Sequence, residues 1–311
     1  MEELLKRALG CNRTSPISGS FGGCISSGKA FNTDTLGSIF IKENKSPEAR
    51  LMFDGELASL EALAATGTVR VPRPIRVVDF QSGSVLVTEY INMTATGLSN
   101  YAEDLGIKLA RLHLHNGEMR REASERASWI GSEVSSVPFV SQFGFPLTTC
   151  CGFIPMNNQW SDSWPEFFTQ QRLKVQVDLV MQKDGDRQLL DLWSQLQPKL
   201  SQFFEDCPDI VPSLLHGDLW SGNVGETESE PVIYDPACFY GHSEFDLSIS
   251  LLFGGFPTRF FSAYHRLIPK SPGFDRRLTL YQLFHYLNHW NHFGGGYRSS
   301  SLNCLRKLLT D

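Results

Sequence analysis

Apolar and polar residues alternate in short runs before residue 90 and recur at helical spacing through most of the remainder. The alternation predicts strands over Lys29–Asp34 and Ser38–Asn44, the second carrying Ile39-Phe40-Ile41-Lys42. Two more strands are predicted over Ile75–Phe80 and Ser84–Glu89, joined by a turn at Gln81-Ser82-Gly83. Between the pairs, Leu51, Met52, Leu57, Leu60, Leu63 and Ala64 fall near helical spacing, so Pro47–Ala65 reads as a helix with Pro47 in its first turn.

After Glu89-Tyr90-Ile91 the period lengthens. Tyr101–His115, Trp164–Lys183, Arg187–Phe204, Phe245–Phe253, Thr258–Leu267, Asp275–Phe293 and Ser301–Leu309 read as helices, and Val211–Ile233 as short strands and loops. Glu118–Ser136 is polar and poorly patterned, which predicts a loop or mobile insert. The expected fold is α+β and two-lobed. A small lobe over residues 1–91 holds an antiparallel sheet and a helix, and a larger, mainly helical lobe covers residues 92–311.

Composition narrows the function class. With 311 residues there is room for a sizeable core, and 41% hydrophobic with 20% charged residues is ordinary for a globular protein. A net charge of -6 argues against nucleic acid as the main partner, and no apolar run is long enough to span a bilayer, so no membrane partner is expected. The opening Met1-Glu2-Glu3-Leu4-Leu5-Lys6-Arg7 predicts a short charged helix in place of a secretory signal. Seven cysteines without a C-x-x-C pair predict reduced thiols in a cytosolic protein.

The strongest chemical signal is His216-x-Asp218-x-x-x-x-Asn223. Asp218 is placed to accept the proton of a substrate hydroxyl, and Asn223 to offer its amide oxygen to Mg²⁺. The spacing is that of the kinase catalytic loop H-R-D-x-x-x-x-N, with Gly217 where Arg stands. Twelve residues on, Asp235 follows the apolar Val232-Ile233-Tyr234 and is expected as the second metal ligand. Asp218 or Asn223 in isolation would more often cap a turn. Their order and spacing, with Asp235 downstream, point to ATP-dependent phosphoryl transfer.

Lys42 ends an apolar strand, where a kinase places the cation that holds nucleotide phosphates, and Glu56 on the next helix is its expected ion-pair partner, with Glu61 the rival. The stretch Ser18–Ser26, including Gly22, Gly23 and Cys24, lacks a clean G-x-G-x-x-G, but its place before the Lys42 strand makes it the expected phosphate-covering loop. Glu89, Tyr90 and Ile91 are expected to contact adenine through backbone groups. His216 reads as a brace of the catalytic loop. Asp246 resembles the kinase acid that ties the following helix to the catalytic loop, and it reads as mainly structural, with capping as the simplest mechanism.

With these positions filled, the chain resembles the aminoglycoside phosphotransferase and choline kinase branch of the protein-kinase-like fold, which carries H-G-D. Longer strings narrow it further: Leu214–Val224, Tyr234-Asp235-Pro236-Ala237, Phe239–Glu244, Leu287–Gly294, Gly23–Ser26 and Thr149–Pro155 look like the fructosamine 3-kinase family, leaning to its ketosamine 3-kinase branch. The resemblance implies phosphorylation of the sugar 3-hydroxyl of ketosamines (fructosamine, ribulosamine or psicosamine adducts) on protein lysines and free amines. The 3-phosphate then eliminates and frees the amine, which amounts to protein deglycation.

A ketosamine presents a polyol beside an amine that is cationic when protonated. Trp220, inside the catalytic loop, is a candidate ring for that cation or for a sugar face, with His289 and Trp290 as further substrate candidates. Against these stands a core role for Trp290 and a satisfied, structural His289. Cys24 is a candidate redox thiol, which leaves a monomer or a weak, redox-dependent homodimer as the expected state. The alternative acceptor is a choline-like or aminoglycoside-like alcohol. A protein kinase is disfavoured because no A-P-E segment follows Asp235, and a catalytically dead scaffold because every expected position is filled.

Overall fold

A computed structural model of the chain describes residues 2–18, 26–81, 83–127 and 139–310. After a first helix, α1 (Glu2–Leu9), the alternating runs form one five-stranded antiparallel sheet: β1 (Thr14–Ile17), β2 (Ser27–Thr33), β3 (Gly37–Asn44), β4 (Pro74–Phe80) and β5 (Gly83–Glu89), in the order β1-β2-β3-β5-β4. The strand of Lys42 is central, pairing Gly28 with Lys42 on one side and Lys42 with Leu86 on the other. The helix α2 (Ala49–Thr66) joins β3 to β4 and ends where Gly67, at φ 62°, donates its N–H to Ala64 O.

Period-two alternation on β3 separates two environments. Ile39 and Ile41 cluster with Val85 and Val87 on one face. On the other, Leu86 joins Met52, Phe53, Leu60 and Leu63 of α2, and this cluster runs on without a break into the helical part of the chain. The helix of the small lobe therefore shares a core with the large one.

That larger part begins with β6 (Ala95–Thr96) and α3 (Ala102–Ala127), followed by the hairpin β7 (Thr149–Cys151) and β8 (Ile154–Met156). Next come α4 (Trp164–Phe168), a π-helical turn over Thr169–Leu173, α5 (Lys174–Asp184) and α6 (Arg187–Leu196). The short strands β9 (Ser213–Leu215), β10 (Val224–Glu226), β11 (Pro231–Ile233) and β12 (Phe239–Gly241) carry the segments between them. Four helices close the chain: α7 (Glu244–Leu252), α8 (Thr258–Leu267), α9 (Phe274–Phe293) and α10 (Arg298–Thr310).

Three expectations change. The polar stretch from Glu118 is helical as far as Ala127, because α3 outruns the core after the buried Asn116 and continues on solvated Arg and Glu, good helix formers without an apolar stripe to read. The rest of that insert lies outside the described residues. The helix expected over Arg187–Phe204 becomes 3₁₀ from Gln197, where Pro198 offers no N–H. The one expected over Trp164–Lys183 is interrupted by the π turn.

Candidate active site

The loop from His216 to Asn223 leaves β9 and is fixed from three sides. Gly217 has φ 83°, and a Cβ built there would lie 2.1 Å from Ala237 O, so position 217 requires glycine by conformation and by space. Asp246, in the first turn of α7, accepts from His216 N at 2.7 Å and Gly217 N at 2.8 Å. Its Oδ2 also lies 3.1 Å from His113 Nε2, and His113 Nδ1 lies 2.8 Å from the Tyr264 hydroxyl. Asp246 thus braces the catalytic loop and does not cap its own helix, as the simplest reading had it. Burial works against its charge, but the His113 hydrogen bond and the loop N–H groups hold its carboxyl below the usual range.

His216 supports the loop from inside. Its Nδ1 accepts from Asp218 N at 3.2 Å and its Nε2 faces Tyr234 O at 3.0 Å. Burial pushes its pKa down, which leaves a neutral ring with one nitrogen accepting and the other donating. Ser250 of α7 adds a 2.6 Å bond to Leu219 O.

Asp218 and Asp235 meet across Asn223. The Asn223 amide nitrogen donates to Asp218 O at 2.8 Å, to Asp218 Oδ2 at 3.2 Å and to Asp235 O at 3.5 Å. This turns its Oδ1 away as the remaining oxygen donor. Burial, and then the neighbouring Asp235 charge, raise the Asp218 pKa to about 7. Asp235 is the one non-glycine residue with positive φ, 56°, among those described. Asp tolerates that region better than most residues, but the backbone needs support to stay there.

Lys42 Nζ lies 2.9 and 2.8 Å from the two oxygens of Glu56 and 3.1 Å from Asp235 Oδ1. Burial opposes the ammonium charge, but Asp235 and Glu56 outweigh it and hold Lys42 protonated. Burial pushes the Glu56 carboxyl up while Lys42 pulls it back. Glu61, the rival partner, is exposed. The cation is thus placed by β3, its brace by α2 and its second acid by the loop after β11.

The edge of this cluster is set by Glu89, whose carboxylate bonds the Arg70 guanidinium and Arg73 N. The expected adenine contacts through the backbone of Glu89, Tyr90 and Ile91 narrow, since Glu89 N and Tyr90 N already donate to Arg73 O at 2.9 Å and Ser38 O at 3.0 Å. Gly22, Gly23 and Cys24 lie outside the described residues.

The three substrate candidates separate. The Trp220 ring lies over Gly222, where a Cβ would meet it at 2.2 Å, and the residue remains 37% exposed. His289 is half-buried, its Nδ1 2.8 Å from His285 O and its ring 4.6 Å from Phe253 and 5.0 Å from Tyr297. Two residues after Phe253, Gly255 lies so close to the catalytic loop that a Cβ built there would stand 2.4 Å from Ser221 Cβ. Trp290, by contrast, is 1% exposed and donates its Nε1–H to Asp184 at 2.7 Å, so it belongs to the core and is withdrawn as a substrate residue.

Several residues that position the site carried no sequence signal. His113 reaches Asp246 across 133 positions, and Ser250 reaches Leu219 across 31. Glu226 accepts from the backbone of Ser99, Asn100 and Tyr101, which anchors the start of α3 to β10. The supports legible in the sequence were His216, Asp246 and Glu56, with Gly217 as the position where Arg is replaced.

No group of three or more His, Cys, Asp or Glu side chains gathers as a metal site among the described residues. Hard oxygen donors on Asn223 and Asp235 suit Mg²⁺, which keeps several waters and takes few protein ligands alongside phosphates. The donor chemistry therefore fits that ion. No described helix is long and apolar enough to cross a membrane, and the six described cysteines are free thiols.

Comparison with known proteins bears on the fold and the family. The fructosamine kinase family model matches residues 2–311. The chain is 53% identical to ketosamine-3-kinase of Mus musculus over 311 residues, covering 99% of each. A candidate fructosamine-3-kinase structure from Thermobifida fusca YX-ER1 superposes with TM-score 0.78 at 23% identity, covering 100% of both chains. The aminoglycoside phosphotransferase APH(4)-Ia, solved as a mutant ternary complex with AMP-PNP and hygromycin B, shares the fold at TM-score 0.59 and 16% identity, covering 100% of this chain and 98% of its own. A match that spans the described fold end to end, at over half of all positions to one relative, places this chain in the fructosamine kinase family.

Proposed function

We propose that this chain transfers the γ-phosphoryl group of ATP to the 3-hydroxyl of ketosamines, with Asp218 as the group that receives the hydroxyl proton. What supports phosphoryl transfer is the Asn223 amide bonded to the Asp218 carboxylate, beside Lys42 held between the Glu56 and Asp235 carboxylates, and the ketosamine acceptor rests on the family match. A carboxyl with pKa about 7 is matched to proton transfer near neutral pH. Lys42 offsets charge on the phosphates, and Asp246 and His216 keep Asp218 in register with the acceptor. Asp235 and Asn223 Oδ1 would hold Mg²⁺, which supplies further charge neutralisation when bound.

On the acceptor side, the exposed face of Trp220 is assigned to the sugar or its cationic amine, and His289 to the polyol, the ring nitrogen opposite its bonded Nδ1 being available. The natural substrates are then glycated proteins and small ketosamines, and the product lets the amine go free. The lobe boundary is placed after Ile91, where the sheet ends and the chain turns into the helical part.

The test is a panel of fructosyl-, ribulosyl- and psicosyl-lysine beside choline and an aminoglycoside, with ATP and Mg²⁺ and the phosphate located by NMR. Phosphate on the ketosamine 3-oxygen is the expected result. Turnover of choline or the aminoglycoside with none of any ketosamine overturns the acceptor assignment.

A further inference from the structure

One buried hydroxyl lies a single step beneath the Glu56–Lys42–Asp235 cluster. Ser59 stands three residues after Glu56 on α2 and is 0% exposed. Its Oγ donates to Gly55 O at 2.7 Å and accepts from Cys238 N at 3.1 Å. Cys238 stands three residues after Asp235. The helix that carries Glu56 and the loop that carries Asp235 are thus joined twice, through Lys42 above and through Ser59 below.

The lower joint is itself anchored. Cys238 O accepts from Thr149 Oγ1 at 3.1 Å, and Thr149 Oγ1 accepts from Asn158 Nδ2 at 2.9 Å. Asn158 Oδ1 accepts from Arg172 at 2.6 Å, a fully buried guanidinium in the π turn. Next to Ser59, Gly55 brings α2 backbone-to-backbone against the start of β7: a Cβ there would lie 2.3 Å from Thr148 O and 3.0 Å from Thr149 Cα. On its apolar side α2 shares the core of the large lobe.

We propose that Ser59 is a positioning residue that sets the separation of Glu56 and Asp235 across Lys42, with the Gly55–Thr148 approach holding α2 inward. The phosphate-binding cluster is then assembled before nucleotide arrives. In protein kinases the position of the corresponding helix is a point of control. Here the same helix is built into the opposite lobe, so control by swinging it is closed off. The need for such a joint is visible at Asp235, whose left-handed backbone at φ 56° requires its neighbours to hold it. The inference rests on the assignment of Lys42, Glu56 and Asp235 to the nucleotide phosphates.

The experiment uses the full chain with Ser59→Ala, Glu56→Gln and the double variant, plus Gly55→Ala. Steady-state kinetics are read for ATP and acceptor separately, with AMP-PNP affinity measured in the absence of acceptor. For Ser59→Ala the expected result is a loss of about tenfold in kcat/KM for ATP and weaker AMP-PNP binding, with acceptor KM within about twofold. In the Glu56→Gln background the same change should cost clearly less than in the wild type, because one of the two carboxylates whose separation it sets is gone. Gly55→Ala should act in the same direction and more strongly. Wild-type kcat/KM for ATP in Ser59→Ala, or an equal loss in both backgrounds, overturns the proposal, as does a lowered melting temperature with unchanged kinetics. Should Ser59→Ala not fold, Thr149→Val removes the bond on the far side of Cys238 and is held to the same outcomes. AMP-PNP affinity unaffected by Lys42→Met would instead remove the premise, and the proposal with it.

Discussion

Replacing Gly217 by alanine isolates how much of this site depends on one backbone position. A Cβ at 217 would stand 2.1 Å from Ala237 O, about 0.9 Å inside the 3.0 Å that real contacts respect. The φ of 83° adds roughly 1–2 kcal/mol for any residue with a Cβ. The obstacle is backbone, not a side chain that can turn aside. The loop must move relative to β12 by about 1 Å, and in moving it strains two bonds: Gly217 N to Asp246 Oδ1 at 2.8 Å and Ala237 N to His216 O at 2.8 Å. A hydrogen bond to a charged group contributes about 1.5–3 kcal/mol. The combined cost is then about 3–5 kcal/mol of stability. Asp218 is the next residue, and a misplacement of about 1 Å there costs roughly a hundredfold in turnover. Phosphorylation of a ribulosyl-lysine peptide gives kcat, and thermal unfolding gives the stability change. Wild-type kcat and melting temperature in Gly217→Ala would refute the reasoning. The same geometry bars the arginine that protein kinases carry at this place.

Asp218→Asn should keep AMP-PNP binding and lose about 10²–10⁴-fold in turnover; retained turnover removes Asp218 from the mechanism. The same substitution has a stability signature with a definite sign. The folded-state pKa of Asp218, about 7, lies above its unfolded value, so folding favours the protonated form and that contribution is lost as pH rises through about 7. Asp218→Asn should therefore melt above wild type at pH 8 without nucleotide, and the difference should shrink as pH falls and vanish only below the unfolded carboxylate value of 3.8; a gain that does not diminish between pH 8 and pH 4 contradicts burial as its cause. Trp220→Ala should raise acceptor KM several-fold and leave ATP KM unchanged, whereas Trp290→Phe should lower the melting temperature with no selective change in acceptor KM. Equal kinetic effects of the two would undo their separation into site and core. Glu244 and Arg277 form a buried bidentate pair, with contacts of 2.8 Å from Nε and 2.8 Å from Nη2. Glu244→Gln should cost about 3–5 kcal/mol by leaving the guanidinium unpaired, read by denaturant unfolding; a near-neutral value would mean that Ser271 and Pro272 satisfy it alone.

The local code was legible because it depends on near neighbours. Alternation placed the central strand and Lys42 at its end, helical spacing placed α2, and the His216–Asn223 spacing announced phosphoryl transfer. Each of these is a property of a few consecutive residues, so each survives in the bare sequence. The stretch Glu118–Ala127 carries no helical signal for the same reason: a solvated helix has no apolar stripe, and only the structure shows it continuing from α3. Trp220 stood out by its place in the catalytic loop, and burial decided between a core and a substrate role for Trp290. The choice of Glu56 over Glu61 needed the direction in which α2 presents each carboxylate. What holds the chemistry in place, His113 on Asp246, Ser59 on Cys238 and Gly55 against Thr148, joins positions 133, 179 and 93 apart in the chain. A hydrogen bond or a close backbone approach acts over a few ångströms, and only the folded chain decides which distant residues come within that reach.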